Sequence, residues 1–261
     1  MVGRNVACIP CRMKSSRLPG KPMIDLCGKP MFVWVYENCV ESNVFDSVVV
    51  VCEGKEIVEE CRVRGIPYYE SKFKHENKTS RVHEFASHFY FDHYFTVNGD
   101  DPLLFSETIR EFYCKYIELI DWKKPDKDFV MGSCVKIINP SIALDQSNIK
   151  IALSQIRLPG IGRALYLSRS MVPYPKNKYC DMYKYTGIEV SSRDMLSLFN
   201  SRKQGNIELC EDVDPIRWLE IGVELYYANC DSVGVSVDTS KDIVVAENII
   251  NLVVFKSNTL P

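Results

Sequence analysis

The sequence predicts an α/β protein with a Rossmann-like, mostly parallel sheet, helices on both faces, and a smaller mixed region after it. Three observations point that way. Short apolar runs alternate with amphipathic stretches through the first half, the order of a parallel sheet crossed by helices. The run Val48-Val49-Val50-Val51-Cys52 is apolar without a break, the mark of a strand covered on both faces. No repeat and no long linker divides the 261 residues, a length that suits one large domain or two small ones with a substantial core.

Taken in order, residues 6–9 read as a strand and 30–40 as a helix. Residues 47–52 form the second strand, 56–64 a short charged helix and 66–69 a third strand. Helix 81–91 and strand 94–97 follow. Ser106 can cap a helix to about residue 120, because Ile109, Phe112, Tyr113, Tyr116 and Ile120 recur at helical spacing. Residues 122–128, Trp-Lys-Lys-Pro-Asp-Lys-Asp, read as a solvated turn between halves. The second half is less regular. Strands are expected over 129–138, 149–153, 163–167 and 223–228, and helices over 191–200, 211–220 and 240–253. Gly160 and Gly162 mark a hairpin turn. An α/β sheet places its ligand at the carboxyl ends of its parallel strands, so the loops after Ile9, Cys52 and Val97 carry the functional expectation.

The formal net charge is -2, from 32 basic and 34 acidic residues, which excludes a general electrostatic grip on nucleic acid. No apolar run approaches the roughly 18 residues of a membrane span, and the N-terminus carries no secretory pattern. The 11 cysteines are odd in number and irregularly spaced, so they read as reduced thiols of a cytoplasmic protein. Cys8 and Cys11 lack the second pair that a zinc site needs.

Two loops and one turn carry chemistry. After the first strand, Arg12, Lys14, Arg17 and Lys21 fall within ten residues with no acid among them. Such a loop suits a polyanion such as a triphosphate, or it is a solvated basic loop. Asn98-Gly99-Asp100-Asp101-Pro102 sets paired carboxylates past a strand end, the hard oxygen ligands that Mg²⁺ prefers, or it is a turn. Val237-Asp238-Thr239 offers either another carboxylate or a helix cap. Four histidines, at 75, 83, 88 and 93, read as solvent-facing or capping. The aromatic stretch 85–95 reads as core.

Together these segments resemble the 3-deoxy-manno-octulosonate (KDO) cytidylyltransferases. The opening Ile9-Pro10-Cys11-Arg12 through Lys21-Pro22, followed by Gly28-Lys29-Pro30-Met31, looks like the family's start. Asn98-Gly99-Asp100-Asp101-Pro102 resembles its Gln-Gly-Asp-Glu-Pro loop. Arg163-Ala164-Leu165-Tyr166-Leu167-Ser168-Arg169 with Val172-Pro173 resembles its Ala-Leu-Tyr-Phe-Ser-Arg-x-x-Ile-Pro segment, and Val237-Asp238-Thr239 with Asp242 resembles its Val-Asp-Thr-Pro-Glu-Asp. The resemblance implies a nucleotide-diphospho-sugar transferase-like fold over residues 1–261. Residues 1–125 would form a nucleotide-binding half and 126–261 an acceptor-binding and dimerisation half. It implies a Mg²⁺-dependent transfer of CMP from CTP to an acidic acceptor in a cytoplasmic homodimer whose interface falls in 137–179. Arg12, Arg17 and Lys21 would hold the triphosphate, with Arg12, Lys21 and Asp100 catalytic. Asp100 and Asp238 would hold Mg²⁺, and Asn77 and Thr79 would approach the cytidine.

The acceptor motifs depart from the family. Its Arg/Lys-His-x-Gly-Ile-Tyr is here Lys184-Tyr185-Thr186-Gly187-Ile188-Glu189. Its Leu-Glu-Gln-Leu-Arg is Val213-Asp214-Pro215-Ile216-Arg217, and Lys78 replaces a glycine near the nucleotide. By the resemblance Arg163, Tyr185, Glu189 and Asp214 meet the acceptor. A carboxylate at 189 would repel an anion unless the acceptor carries a pairing ammonium or hydroxyl. KDO itself, another acid such as an amino-substituted sugar acid or a phosphonate, and a non-catalytic nucleotide binder all remain open, and the departures favour another acid.

Overall fold

A computed structural model describes residues 3–15, 18–124, 128–178, 180–231 and 236–259, with side chains through Val253. The first half contains β1 (Asn5–Arg12), β2 (Asp25–Leu26), β3 (Lys29–Pro30), α1 (Met31–Ser42), β4 (Ser47–Glu53), α2 (Lys55–Arg64), β5 (Tyr68–Glu70), α3 (Lys78–His88), β6 (His93–Val97) and α4 (Ser106–Lys123). The second half contains β7 (Phe129–Lys136), α5 (Pro140–Leu144), β8 (Lys150–Gln155), β9 (Ile161–Ser168), β10 (Tyr183–Ser191), α6 (Arg193–Ser201), α7 (Asn206–Glu211), α8 (Ile216–Glu220), β11 (Glu224–Asn229) and α9 (Ser240–Thr259).

Among the described residues, nine strands form one sheet in the order β5-β4-β1-β6-β10-β7-β11-β9-β8. The parallel expectation holds for β5, β4, β1 and β6 and for the pair β7–β11. Elsewhere the sheet is antiparallel, with β10 inserted against both β6 and β7, so the sheet as a whole is mixed. The unbroken apolar runs follow from cover on both faces. Ala7, Ile9 and Cys11 join the core beneath α1 and α4, while Val6 and Cys8 join the core beneath α3 and α6. Cys8 and Cys11 therefore belong to opposite faces and cannot act as a pair. Burial raises both thiols above their ordinary range, as expected of inert core cysteines. A second core, around Phe199 and Trp218 with ring centroids 4.7 Å apart, fills the other half.

The structure corrects several sequence expectations. Ser106 is the first residue of α4 and does not cap it; Phe105 precedes the helix without a side-chain bond. The turn expected at 122–128 begins later, because α4 runs to Lys123; residues 125–127 lie outside the described ones. The helix expected over 211–220 is two short helices. Asp212 ends α7 in the left-handed region at φ 51°, and Pro215, which has no N–H to donate, sits at the start of α8. Most consequential is β10, a strand the hydropathy pattern hides. Its residues Lys184, Tyr185, Thr186 and Glu189 are polar, yet Thr186 and Glu189 are buried. Gly187 on this strand has no substitute, because a Cβ there would meet Asp101 Oδ2 at 1.6 Å. This contact locks the loop after β6 against β10.

Candidate active site

The carboxyl ends of β1 and β6 and the N-terminus of α3 open into one cleft of about 690 Å³, closed on the far side by β10 and the segment 208–214. The basic loop after β1 forms one wall. Gly20 at φ 70° turns the chain into a short 3-10 turn, Lys21–Met23, which carries Lys21 inward until it is only 8% exposed. Its Nζ lies 2.5 Å from Asp100 Oδ2 and 2.7 Å from Asp238 Oδ1. Burial opposes the charge, but attraction first from Asp100 and then from Asp238 outweighs it and raises the Lys21 pKa. Three distant segments thus converge on one ammonium.

The convergence is built locally. Asp242 Oδ2 accepts from the backbone N–H groups of Asp238 (3.1 Å) and Thr239 (2.8 Å) and from the Thr239 hydroxyl (2.9 Å). The Val237 N–H donates to the Asp100 carbonyl at 3.0 Å, and Val237 itself is buried. Asp242 is thus the cap of this turn, and Asp238 is left to face Lys21.

Arg12 is exposed on the cleft, and its Nη1 reaches the Glu76 carbonyl at 3.5 Å. Arg81, 3% exposed, donates to Glu53 Oε2 at 3.3 Å. Burial and then the neighbouring Arg12 guanidinium lower its pKa, and its buried Nε has no partner among the described residues. Two guanidinium groups held close enough to repel make a receptive pair for phosphate oxygens. Asn77 caps α3, its Oδ1 accepting from the Ser80 N–H at 2.9 Å. Its Nδ2 is buried without a partner among the described residues. Thr79 is buried, donating to Asp214 Oδ2 at 3.3 Å, and thereby ties α3 to the segment before α8.

The remaining sequence candidates divide. Tyr185 and Asp214 line the cleft. Glu189 does not face an acceptor; it is 3% exposed beneath the cleft floor, where Trp218 Nε1 donates to its Oε1 at 3.4 Å. Burial, partly offset by Lys78 and reinforced by Asp214, pushes its carboxyl up to about 7. Arg163 is not brought to the cleft; it projects from β9 into solvent, with Nη1 3.5 Å from Glu224 Oε1. Arg17 lies outside the described residues. Sequence reasoning assigned no site role to Lys78, Arg81, Asn98 or Arg169, all of which line the cleft. Arg81 could have been found, since it lies two residues beyond Thr79 in the segment already expected to approach the cytidine.

The Asp100–Asp238 pair fits a Mg²⁺ ion. Among the described residues no group of three or more His, Cys, Asp or Glu could hold a metal. Mg²⁺ does not need such a group, because it commonly binds one or two carboxylates together with substrate phosphates. Two hard oxygen donors that converge on Lys21 from separate parts of the chain meet that description.

A family model for cytidylyltransferases matches residues 6–232. The chain is a cytidylyltransferase family member. It is 31% identical over 247 residues to the 3-deoxy-manno-octulosonate cytidylyltransferase of Lawsonia intracellularis, covering 93% of this chain and 92% of that one. It is 30% identical to the enzyme of that name from Synechococcus elongatus, covering 92% and 95%. Among solved structures, a CMP:2-keto-3-deoxy-manno-octonic acid synthetase complexed with CTP superposes with a TM-score of 0.84 at 25% identity, covering 95% of this chain and 99% of that one. A UDP-glucose pyrophosphorylase shares the fold at a TM-score of 0.66 and 10% identity. Family membership makes the chain a CTP-dependent nucleotidyltransferase. Among the described residues no helix is long and apolar enough to cross a membrane.

Proposed function

We propose that this cytidylyltransferase moves CMP from CTP to an acidic acceptor of the KDO class, with Mg²⁺ as cofactor. An acceptor oxygen attacks the α-phosphorus, the bond from that phosphorus to the β-phosphate bridging oxygen breaks, and pyrophosphate leaves. The observation that carries this reading is Lys21 clamped between Asp100 and Asp238 at the base of a cleft with a basic wall. Arg12 and Arg17 hold the triphosphate together with Arg81. Lys21 neutralises charge that develops as the α–β bond breaks, the main task of a protein in phosphoryl-type transfer. Asp100 and Asp238 hold the Mg²⁺, which when bound neutralises phosphate charge and assists the attacking hydroxyl. Asn77 offers its unpartnered amide to the nucleotide, with Thr79 bracing the same turn.

On the acceptor side, Tyr185 and Asp214 contact the acid. Arg163 has no part in this reading, and Glu189 acts from beneath. We assign residues 1–125 mainly to the nucleotide and 126–261 mainly to the acceptor, within one domain. A homodimer through the region 137–179 fits the exposure of Ile138 (88%), Leu144 (69%), Leu165 (58%) and Tyr174 (74%), large apolar side chains that an interface would cover. A cytoplasmic location accords with eleven cysteines, all unpaired.

The test is pyrophosphate release from CTP and Mg²⁺ with KDO, an amino-substituted KDO, sialic acid or a phosphonate. Release with one of these, together with a CMP-linked product, is expected. CTP binding with no release from any acid would contradict the transferase reading.

A further inference from the structure

Three residues that depart from the family motifs, Lys78, expected near the nucleotide, and Tyr185 and Glu189, expected at the acceptor, are neighbours in space. Lys78 is the first residue of α3, where the positive end of the helix dipole disfavours a cation, so its charge does not serve the helix. Its side chain turns into the cleft floor instead. Nζ donates to Asn98 Oδ1 at 2.9 Å and to the Tyr185 hydroxyl, and sits 4.8 Å from the Tyr185 ring centroid. An ammonium has three donors, and among the described residues these two acceptors are its hydrogen-bond partners. Below lies Glu189, whose Oε2 is buried and unpartnered among the described residues, as is the Tyr227 hydroxyl. A buried carboxylate of this kind persists only beside opposite charge. Of the groups acting on it, Lys78 is the cation; burial opposes the charge on Lys78, and Tyr185, Asp214 and then Glu189 favour it.

We propose that Lys78 is the acceptor-selecting cation of this cleft, presenting its remaining donor to an anionic oxygen of the acceptor, carboxylate or phosphonate, and that Glu189 is a buried counter-charge beneath it. This rests on the cytidylyl-transfer reading above. It reverses the expectation that Glu189 meets the acceptor: the carboxylate answers a lysine of the same chain, and the pair reaches the ligand only through Lys78. Replacement of a glycine by Lys78 and of a tyrosine by Glu189 is then one change made at two positions.

The experiment measures steady-state constants and melting temperatures of Lys78→Met, Lys78→Arg, Glu189→Gln and the Lys78→Met/Glu189→Gln double variant, with KDO and phosphonoacetate as separate arms. With whichever acid is transferred, Lys78→Met is expected to raise the acceptor KM at least tenfold while the CTP KM stays within twofold. Lys78→Arg should recover most of that loss. Glu189→Gln should leave the acceptor KM unchanged or lower it, because the site becomes more positive. The double variant should follow Lys78→Met in KM yet melt higher than it, since the stranded carboxylate is gone. An unchanged acceptor KM in Lys78→Met, or a change confined to CTP, overturns the proposal. So does a Glu189→Gln variant whose acceptor KM rises as a lost contact would make it rise. If wild type accepts neither acid, the transfer reading fails for these two acids, and the melting temperatures decide the pair alone. A double variant melting no higher than Lys78→Met overturns it.

Discussion

The two ends of the cleft solve the same problem, holding charge in place, by opposite means. At the phosphate end one lysine lies between two carboxylates that remain partly open to solvent. Each carboxylate is fixed by backbone turns, the Asp238 turn through Asp242. At the acceptor end the lysine uses neutral oxygens as partners and its counter-charge is buried out of reach of water. The first arrangement can exchange partners, since an incoming ion and phosphates can take up the oxygens and the ammonium. The second cannot, because Glu189 is enclosed by Trp218 and the sheet. The first suits chemistry and the second suits a fixed choice of ligand.

The comparison breaks most visibly at Lys21. Lys21→Met should lower the rate of pyrophosphate release by about 10²–10³-fold, the order lost when one transition-state donor is removed, while CTP still binds in an equilibrium titration. The next effect is on stability. Arg217 donates to Glu208 through two bonds of 2.6 Å in a pair that is 4% and 2% exposed, and it holds α8 to α7 at the rim of the acceptor end. Arg217→Ala leaves the Glu208 carboxylate buried and uncompensated, and should cost about 3–5 kcal/mol in denaturant unfolding.

A third effect is a pH dependence specific to the acceptor end. The Glu189 carboxyl is faced by Lys78 from α3, Tyr185 from its own strand, Tyr227 from β11 and Asp214 from the segment before α8. Burial raises it from an ordinary 4.5 to about 7. Between those values the folded protein binds a proton that the unfolded chain has released. Wild-type stability should therefore fall as pH rises from about 4.5 to 7 and then level off. Glu189→Gln lacks this titration and should gain on wild type by about 3 kcal/mol across that window, at 1.36 kcal/mol for each pH unit. Parallel profiles for the two proteins would remove the buried counter-charge. The smallest effect is at Arg163, where Arg163→Ala should change the acceptor KM less than twofold, because the side chain pairs with Glu224 on the sheet's outer part.

The same contrast marks how far the sequence could be read. The strands β1, β4 and β6 were legible because both their faces are buried; of the three loops expected to matter, those after Ile9 and Val97 line the cleft, while the loop after Cys52 is tied to it only through Glu53, which accepts from Arg81. The convergence of Lys21, Asp100 and Asp238 was legible as well, since each lies at a local turn with its own signature. The acceptor end was not. β10 carries polar residues whose partners, Lys78 and Asp101, come from distant parts of the chain, and no periodicity reveals a strand stabilised that way. The irregular register between Thr186 and Glu189 also hid which way Glu189 points. Arg163 misled for the converse reason: the motif around it is familiar, but Arg163 occupies an outward position on β9, where alternation decides the face.

The most direct measurement of the account is Mg²⁺-dependent pyrophosphate release by Asp100→Ala and Asp238→Ala, beside wild type, at saturating CTP and acceptor. Both variants should fold with unchanged circular dichroism, bind CTP, and lose release at every Mg²⁺ concentration. Release at the wild-type rate by either one, with the same Mg²⁺ dependence, would contradict the assignment of the metal and of the reacting end of the cleft.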